Sequence, residues 1–269
     1  MTAPGSSDQA TNYFARLGRL VLSSVRQLTG PPLDPQAPEA ARRFWRQALV
    51  LIALGAVAVA VLMFAVDFPE IKLMPARNSP DLWPVRILTD FGKAAFVLWS
   101  IFAMLVATIL VAAGARDAMR ARLLPVVAKL QYLLLALVVP IIAGELIKWI
   151  VGRGRPFVGS DPFTFSHFSG ASAYASFPSA HAITSVALAF AVSTLWPRLR
   201  VPMIAYALLI IATRLVLLAH HPSDVTAGAV FGVIGAMAVR YWFAARGIGF
   251  SIGHDGAILP PAGNSRRIP

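Results

Sequence analysis

Six long apolar runs constrain this chain more than any other feature. They cover about 47–65, 94–115, 130–151, 180–196, 201–219 and 225–244. Each holds about 17–22 residues, enough as α-helix to cross the roughly 30 Å hydrocarbon core of a bilayer. A backbone inside that core must satisfy its polar groups internally, so such runs become helices. The rest of the composition agrees. Hydrophobic residues make up 57% of the 269 and charged residues only 13%, where a soluble domain carries about a quarter charged. These figures exclude an ordinary soluble domain, and they exclude disorder over most of the chain. The expected fold class is all-α: a polytopic membrane protein with six transmembrane helices. Trp45, Trp149, Trp196 and Trp242 stand near run ends, as interfacial anchors do.

Charge sets the orientation. The chain carries 24 Lys and Arg against 12 Asp and Glu, a net +12. In a soluble protein this balance would suggest nucleic acid. In a membrane protein it reflects cytoplasmic loops facing anionic lipid, and no nucleic-acid partner is expected. With the N-terminus inside, the outer segments hold Lys72, Arg77, Arg86, Lys93, Lys148, Arg153, Arg155 and Arg214. The other sixteen cations are inside, which predicts both termini in the cytoplasm. No cysteine is present, so thiolate nucleophiles and Cys-bound metals are excluded.

Three segments follow. Residues 1–37 form a cytoplasmic N-terminal segment too polar for a cleavable signal, so the first run acts as signal anchor. In it Tyr13, Leu17, Leu20, Val21, Val25 and Leu28 recur at helical spacing, with Arg16, Arg19 and Arg26 between. This reads equally as an interfacial amphipathic helix or as a helix packed on the protein's own inner face. Gly30-Pro31-Pro32 then breaks it. Residues 38–246 form the six-helix domain. Residues 247–269, rich in Gly and Pro, are expected to be a flexible cytoplasmic tail.

Polar residues interrupt the runs at one face. Lys148 closes the third run, Ser179 and His181 open the fourth, Arg214 and His220 close the fifth, and Asp224 opens the sixth. Ionisable groups at a bilayer are costly, so a convergent set marks a site. Lys148, Arg155 and Arg214 would converge three positive charges, which calls for an anion. Arg matches phosphate oxygens with a planar fork. A helix opening at Pro178-Ser179-Ala180-His181 would aim free N–H groups at the same region, with Ser179 as cap. Gly152 and Gly154 free the backbone before Arg155. Each residue alone has a plainer reading. Lys148 can snorkel or pair with Glu145; Arg153 and Arg155 can anchor at the interface; Arg214 can neutralise Asp224. Unrelated anchors, however, need not converge from four segments.

The residues Lys148-x6-Arg155-Pro156, Pro178-Ser179-Ala180-His181 and Arg214-x5-His220-x3-Asp224 resemble the three signature motifs of the type 2 phosphatidic acid phosphatase family. That family shares its site with vanadium haloperoxidases. The resemblance covers the last four runs and departs at two places. Ala180 stands where the family commonly has Gly, and Thr213 where it commonly has Ser. The resemblance implies an integral-membrane lipid phosphatase of the bacterial inner membrane, with its site at the periplasmic face and no metal or other cofactor required. His220 would be the nucleophile and form a phosphohistidine. Asp224 would hold its other ring nitrogen across the turn that Pro222 enforces. His181 would be the general acid and then base. Lys148, Arg155, Ser179, Ala180 and Arg214 would bind the phosphate oxygens. His221, His167 and Asp161 are assigned to the rim. Family substrates include phosphatidic acid, phosphatidylglycerophosphate, undecaprenyl diphosphate and lipid A phosphates.

Other readings compete. The same histidine could serve phosphotransfer from a lipid diphosphate. His181, His220, His221 and Asp224 could ligate zinc, which leaves the cation cluster unexplained. A transporter would place its polar groups near mid-bilayer rather than at one face. The loop 157–177 reads as a lid or as a solvated connection, and 67–90 could line the access route. Gly228-x3-Gly232 reads as helix packing. Oligomeric state is not encoded in any of these features. Topology has a direct check, because the chain lacks cysteine. A Ser160→Cys variant on intact spheroplasts should react with a membrane-impermeant maleimide; protection there would invert the orientation.

Overall fold

In a computed structural model of the chain, the described residues are 6–76, 79–158 and 161–260. Arg77, Ser160 and the last nine residues, with Arg266 and Arg267, lie outside them. Five helical stretches are long and apolar enough to cross a membrane: Ala37–Ala65, Pro80–Gly114, Asp117–Val151, Pro197–Val216 and Pro222–Ala245. A sixth, Ala180–Leu195, is apolar but shorter. In chain order the α-helices are α1 (Ser6–Thr29), α2 (Ala37–Ala65), α3 (Asp67–Leu73), α4 (Trp83–Asp90), α5 (Ala94–Gly114), α6 (Asp117–Val151), α7 (Ala180–Leu195), α8 (Arg200–Val216) and α9 (Pro222–Ala245). The all-α polytopic architecture expected from the apolar runs is present.

One boundary differs from the apolar pattern. Helix α6 starts at Asp117, well before the third run at 130. Its polar first turns are held by Arg120, which donates to the carbonyls of Ala112 at 3.2 Å and Ala115 at 2.8 Å. Those carbonyls belong to the end of α5, which has no helical partner for them. The side chain therefore caps one helix while starting the next.

Helix α9 is the centre of the bundle. It packs against α2, α6 and α7, and α7 in turn packs against α6 and α8. In lipid, helices associate through close packing, which favours small residues at the contacts. Here Ala136, Ala187, Ala191 and Ala236 are fully buried. A Cβ on Gly228 would lie 2.6 Å from the Ser179 carbonyl, and one on Gly232 2.7 Å from that of Ile183. Both glycines thus set the α7–α9 separation, as the packing reading requires.

The end of the bundle where α9 finishes is closed by both flanking segments. Tyr13 of α1 donates to the Leu110 carbonyl at 3.1 Å, and Trp242 donates to that of Leu28 at 3.0 Å. Helix α1 is therefore docked on the bundle, although Phe14, Val21, Leu22 and Val25 remain exposed. The tail expectation needs correction through residue 260. Ser251–Ile252 and Ile258–Leu259 pair as antiparallel strands. Ile248 and Phe250 enter the core, where Phe250 meets Tyr132 edge-on. Apolar residues between the glycines explain why this segment packs.

Gly232→Val should push α7 from α9 and cost about 1–3 kcal/mol of stability. Gly170, with nothing within 4 Å, provides the control as Gly170→Ala. Thermal unfolding in detergent checks the difference.

Candidate active site

The end of the bundle where α7 and α9 begin holds a cluster of buried polar groups built around Arg153. This side chain is only 1% exposed. Helix α6 ends at Gly152, whose φ of 57° is left-handed. A Cβ there would collide with the Ser166 carbonyl, so glycine alone fits the turn. The turn sends Arg153 inward. Its Nη1 donates to Asp224 Oδ1 at 2.7 Å and Ser223 Oγ at 2.6 Å. Its Nη2 donates to Asp67 Oδ2 at 2.8 Å and the Pro162 carbonyl at 3.0 Å, and Nε donates to that carbonyl at 3.1 Å. All five guanidinium hydrogens thus have acceptors. Arg153 is not the interfacial anchor that its position suggested.

Asp224 is the second hub, and it is fully buried. It occupies the first turn of α9, where Pro222 loses no hydrogen bond. Its Oδ2 accepts the His221 N–H at 2.9 Å and the Ser176 hydroxyl at 2.5 Å. Its approach to His220 Nδ1 is 3.9 Å, longer than a hydrogen bond. The ring is instead oriented by the Ser176 carbonyl, 2.8 Å from Nδ1. The expected direct Asp224–His220 contact is therefore replaced by a relay through Ser176, because Arg153 and the helix start already engage the carboxylate. A carbonyl only accepts, so Nδ1 carries the proton and Nε2 keeps its lone pair. Burial pulls the His220 pKa down to about 4, against the opposing pull of Asp224. The ring is neutral at pH 7. As pH falls from about 6.5 toward 4, the unfolded chain takes up a proton that the folded one refuses, and stability drops.

Arg214, Arg155 and His181 are neighbours of His220, and the start of α7 adjoins Asp224. Ser179 and Ala180 open α7, and the Ser179 N–H is tied to the Asp224 carbonyl at 3.0 Å. The Ser179 side chain makes no cap bond; its Oγ is buried without a hydrogen-bond partner, as is His181 Nε2. Arg214, Arg155 and Lys93 are charged neighbours of His181. Arg214 donates to Thr89 Oγ1 at 2.8 Å, and Thr213 donates to the same oxygen at 3.0 Å. Lys148 is held in an ion pair with Glu145 at 2.5 Å, one of the plainer readings of its position. His221 is 1% exposed, so it is a buried residue at the start of α9 rather than a rim residue. His167 and Asp161 are exposed.

Sequence reasoning missed Asp67, Thr89, Ser176, Ser223 and Glu70. Asp67 had a signal, an acid directly after the first apolar run. Thr89 lies in the segment suspected of lining the access route. Ser176 and Ser223 lie in or beside the motifs and carried no distinguishing pattern. Glu70 is buried with neither carboxylate oxygen hydrogen-bonded, and burial with nearby Asp67 and Asp224 raises its pKa to about 8. The loop 157–177 is tied down by the Pro162 bonds to Arg153 and by Phe168 against Trp149. Among the described residues no three His, Asp or Glu side chains group as a metal site would.

Arg153→Met would leave Asp67 and Asp224 buried without their cation, at a cost of about 3–5 kcal/mol. Arg43→Ala, which breaks an exposed pair with Asp255, should cost under about 1 kcal/mol. Thermal unfolding of the two variants side by side tests this ordering.

Residues 129–248 match the model of the PAP2 superfamily. The chain is 34% identical over 222 residues to a lipid A 1-phosphatase of Rhizobium johnstonii, covering 78% of this chain and 86% of the relative. It is 33% identical over 221 residues to a lipid A 1-phosphatase of Rhizobium etli, covering 78% and 90%. No solved structure matches the chain.

Proposed function

Because this chain belongs to the PAP2 superfamily, we propose that it is a lipid A 1-phosphatase working through a phosphohistidine on His220 at the periplasmic face of the inner membrane. That it is a membrane lipid phosphatase follows from its relatives and its apolar helices. The observation that carries the mechanism is the His220 tautomer. With Nδ1–H bound to the Ser176 carbonyl, the Nε2 lone pair is the free nucleophile of a neutral ring.

The chemistry then has two steps. Nε2 attacks phosphorus, a P–N bond forms, and the P–O bond to the sugar breaks. His181 donates a proton to the departing oxygen. It then takes a proton from water, whose oxygen attacks phosphorus and breaks the P–N bond, releasing inorganic phosphate. Arg155, Arg214, the Ser179 hydroxyl and the Ala180 N–H hold the non-bridging oxygens, with Lys148 adding charge from the end of α6. The unpartnered Ser179 Oγ and His181 Nε2 support this assignment, since a buried polar atom needs a partner that a phosphate would supply. Asp224 steadies the ring through Ser176 and stabilises the positive charge that develops on the imidazole.

A lipid substrate also suits the flank of the site. An apolar groove of about 690 Å³ lies between α2, α6 and α9 and reaches Phe177, the residue after Ser176. It offers acyl chains a path beside the phosphate ligands.

Phosphate release by the purified chain in detergent with EDTA tests the proposal, using lipid A, phosphatidic acid, phosphatidylglycerophosphate and undecaprenyl diphosphate. Lipid A should be preferred. His220→Ala should lower kcat by about 10³-fold or more, the scale on which removing a catalytic unit acts. Loss of activity in EDTA would overturn the metal-free mechanism. Transfer to an added lipid alcohol in place of release would make the enzyme a phosphotransferase.

A further inference from the structure

At the face opposite the catalytic cluster, Arg240 is a partly buried cation without a counter-charge among the described residues. Arg240 lies 16 residues after Asp224 on α9, roughly 24 Å along the helix. It is half-buried, and its guanidinium stands over the Phe190 ring at 5.4 Å. Its Nε is buried with no acceptor. Among the described residues no carboxylate pairs with it. A cation at this depth without a partner is costly, so its place implies an anion.

The surroundings say which anion. Two hollows share Phe190 and Arg240 as a common wall. One, of about 570 Å³, lies between α7, α8 and α9 and carries Arg200 at its edge. The other, of about 540 Å³, lies beside α2 and carries Arg46. Neither Arg46 nor Arg200 is in an ion pair among the described residues. The walls below the arginines are apolar: Ala189, Ile204 and Leu208 in the first hollow, Val50 and Leu51 in the second. Three cations above apolar hollows fit a phosphodiester with hydrocarbon attached. A free phosphate would leave those hollows unfilled, and a zwitterionic head group would bring its own cation against the arginines.

We propose that Arg240, with Arg46 and Arg200, binds an anionic phospholipid at the face opposite the catalytic site, its phosphate on the guanidinium and its acyl chains in the flanking hollows. The site is separate from the catalytic reading and does not depend on it. Bound there, the lipid fastens α2, α7 and α8 to α9 at the end of the bundle far from His220.

Native mass spectrometry and thermal unfolding of the full chain in non-ionic detergent test this. The probes are phosphatidylglycerol, phosphatidylcholine of the same chain length, and inorganic phosphate. Phosphatidylglycerol should bind about tenfold tighter than phosphatidylcholine and raise Tm, as one charge-assisted contact would provide. Arg240→Gln should lose most of that difference, whereas Arg214→Gln should keep it. Equal binding of the two lipids would overturn the proposal, as would equal stabilisation by inorganic phosphate. Loss in Arg214→Gln instead would place the lipid in the catalytic site. Should Arg240→Gln fail to fold, the exposed Arg200→Gln variant decides: a partial loss supports the site and an unchanged preference overturns it.

Discussion

A buried guanidinium holds the functional end of this protein together. Arg153 joins three parts of the chain that are far apart in sequence: the segment after α2 through Asp67, the loop after α6 through Pro162, and the start of α9 through Asp224 and Ser223. Two carboxylates and one cation share this dry space, and no one of them could be removed without stranding the others. The contacts that orient His220 rest on this knot. Asp224 is fixed by Arg153, Ser176 is fixed by Asp224, and the Ser176 carbonyl fixes the ring.

The bilayer explains why the knot sits where it does. Apolar helices gain little by burying against each other in lipid, so close approach of small residues sets their spacing. Gly228 and Gly232 bring α9 against α7. That contact places the first turn of α7, with Ser179, Ala180 and His181, beside the first turn of α9. The N–H groups that open α9 are taken by Asp224 and Asp67, and those that open α7 beside them favour an anion. The catalytic proposal and the choice of substrate charge both descend from this packing.

The two ends of the bundle treat cations differently. At the catalytic end Arg153 is saturated by two carboxylates, a hydroxyl and a carbonyl, so it acts as structure. At the opposite end Arg240 meets, among the described residues, an aromatic face and hollow space and no carboxylate, so it is available to a ligand. The same residue type takes opposite roles because fixed acids surround one and not the other.

Much of the architecture was legible before any coordinates. Apolar runs of membrane length determine helices, and three short motifs holding Arg155, Ser179, His181, Arg214, His220 and Asp224 resemble those of a known family and so mark a candidate site. Both are short-range patterns, which a sequence carries directly. The tertiary structure decided what periodicity cannot express. It engaged Arg153, which had read as an anchor, and brought in Asp67 and Thr89 from the segment between α2 and α5. It placed Ser176 between Asp224 and His220, turned Lys148 onto Glu145, and packed residues 247–260 against the end of the bundle where α9 finishes. Each of these outcomes depends on which side chains meet across separate helices. Short-range pattern does not contain those meetings, since a buried charge chooses its partners only once the helices have packed.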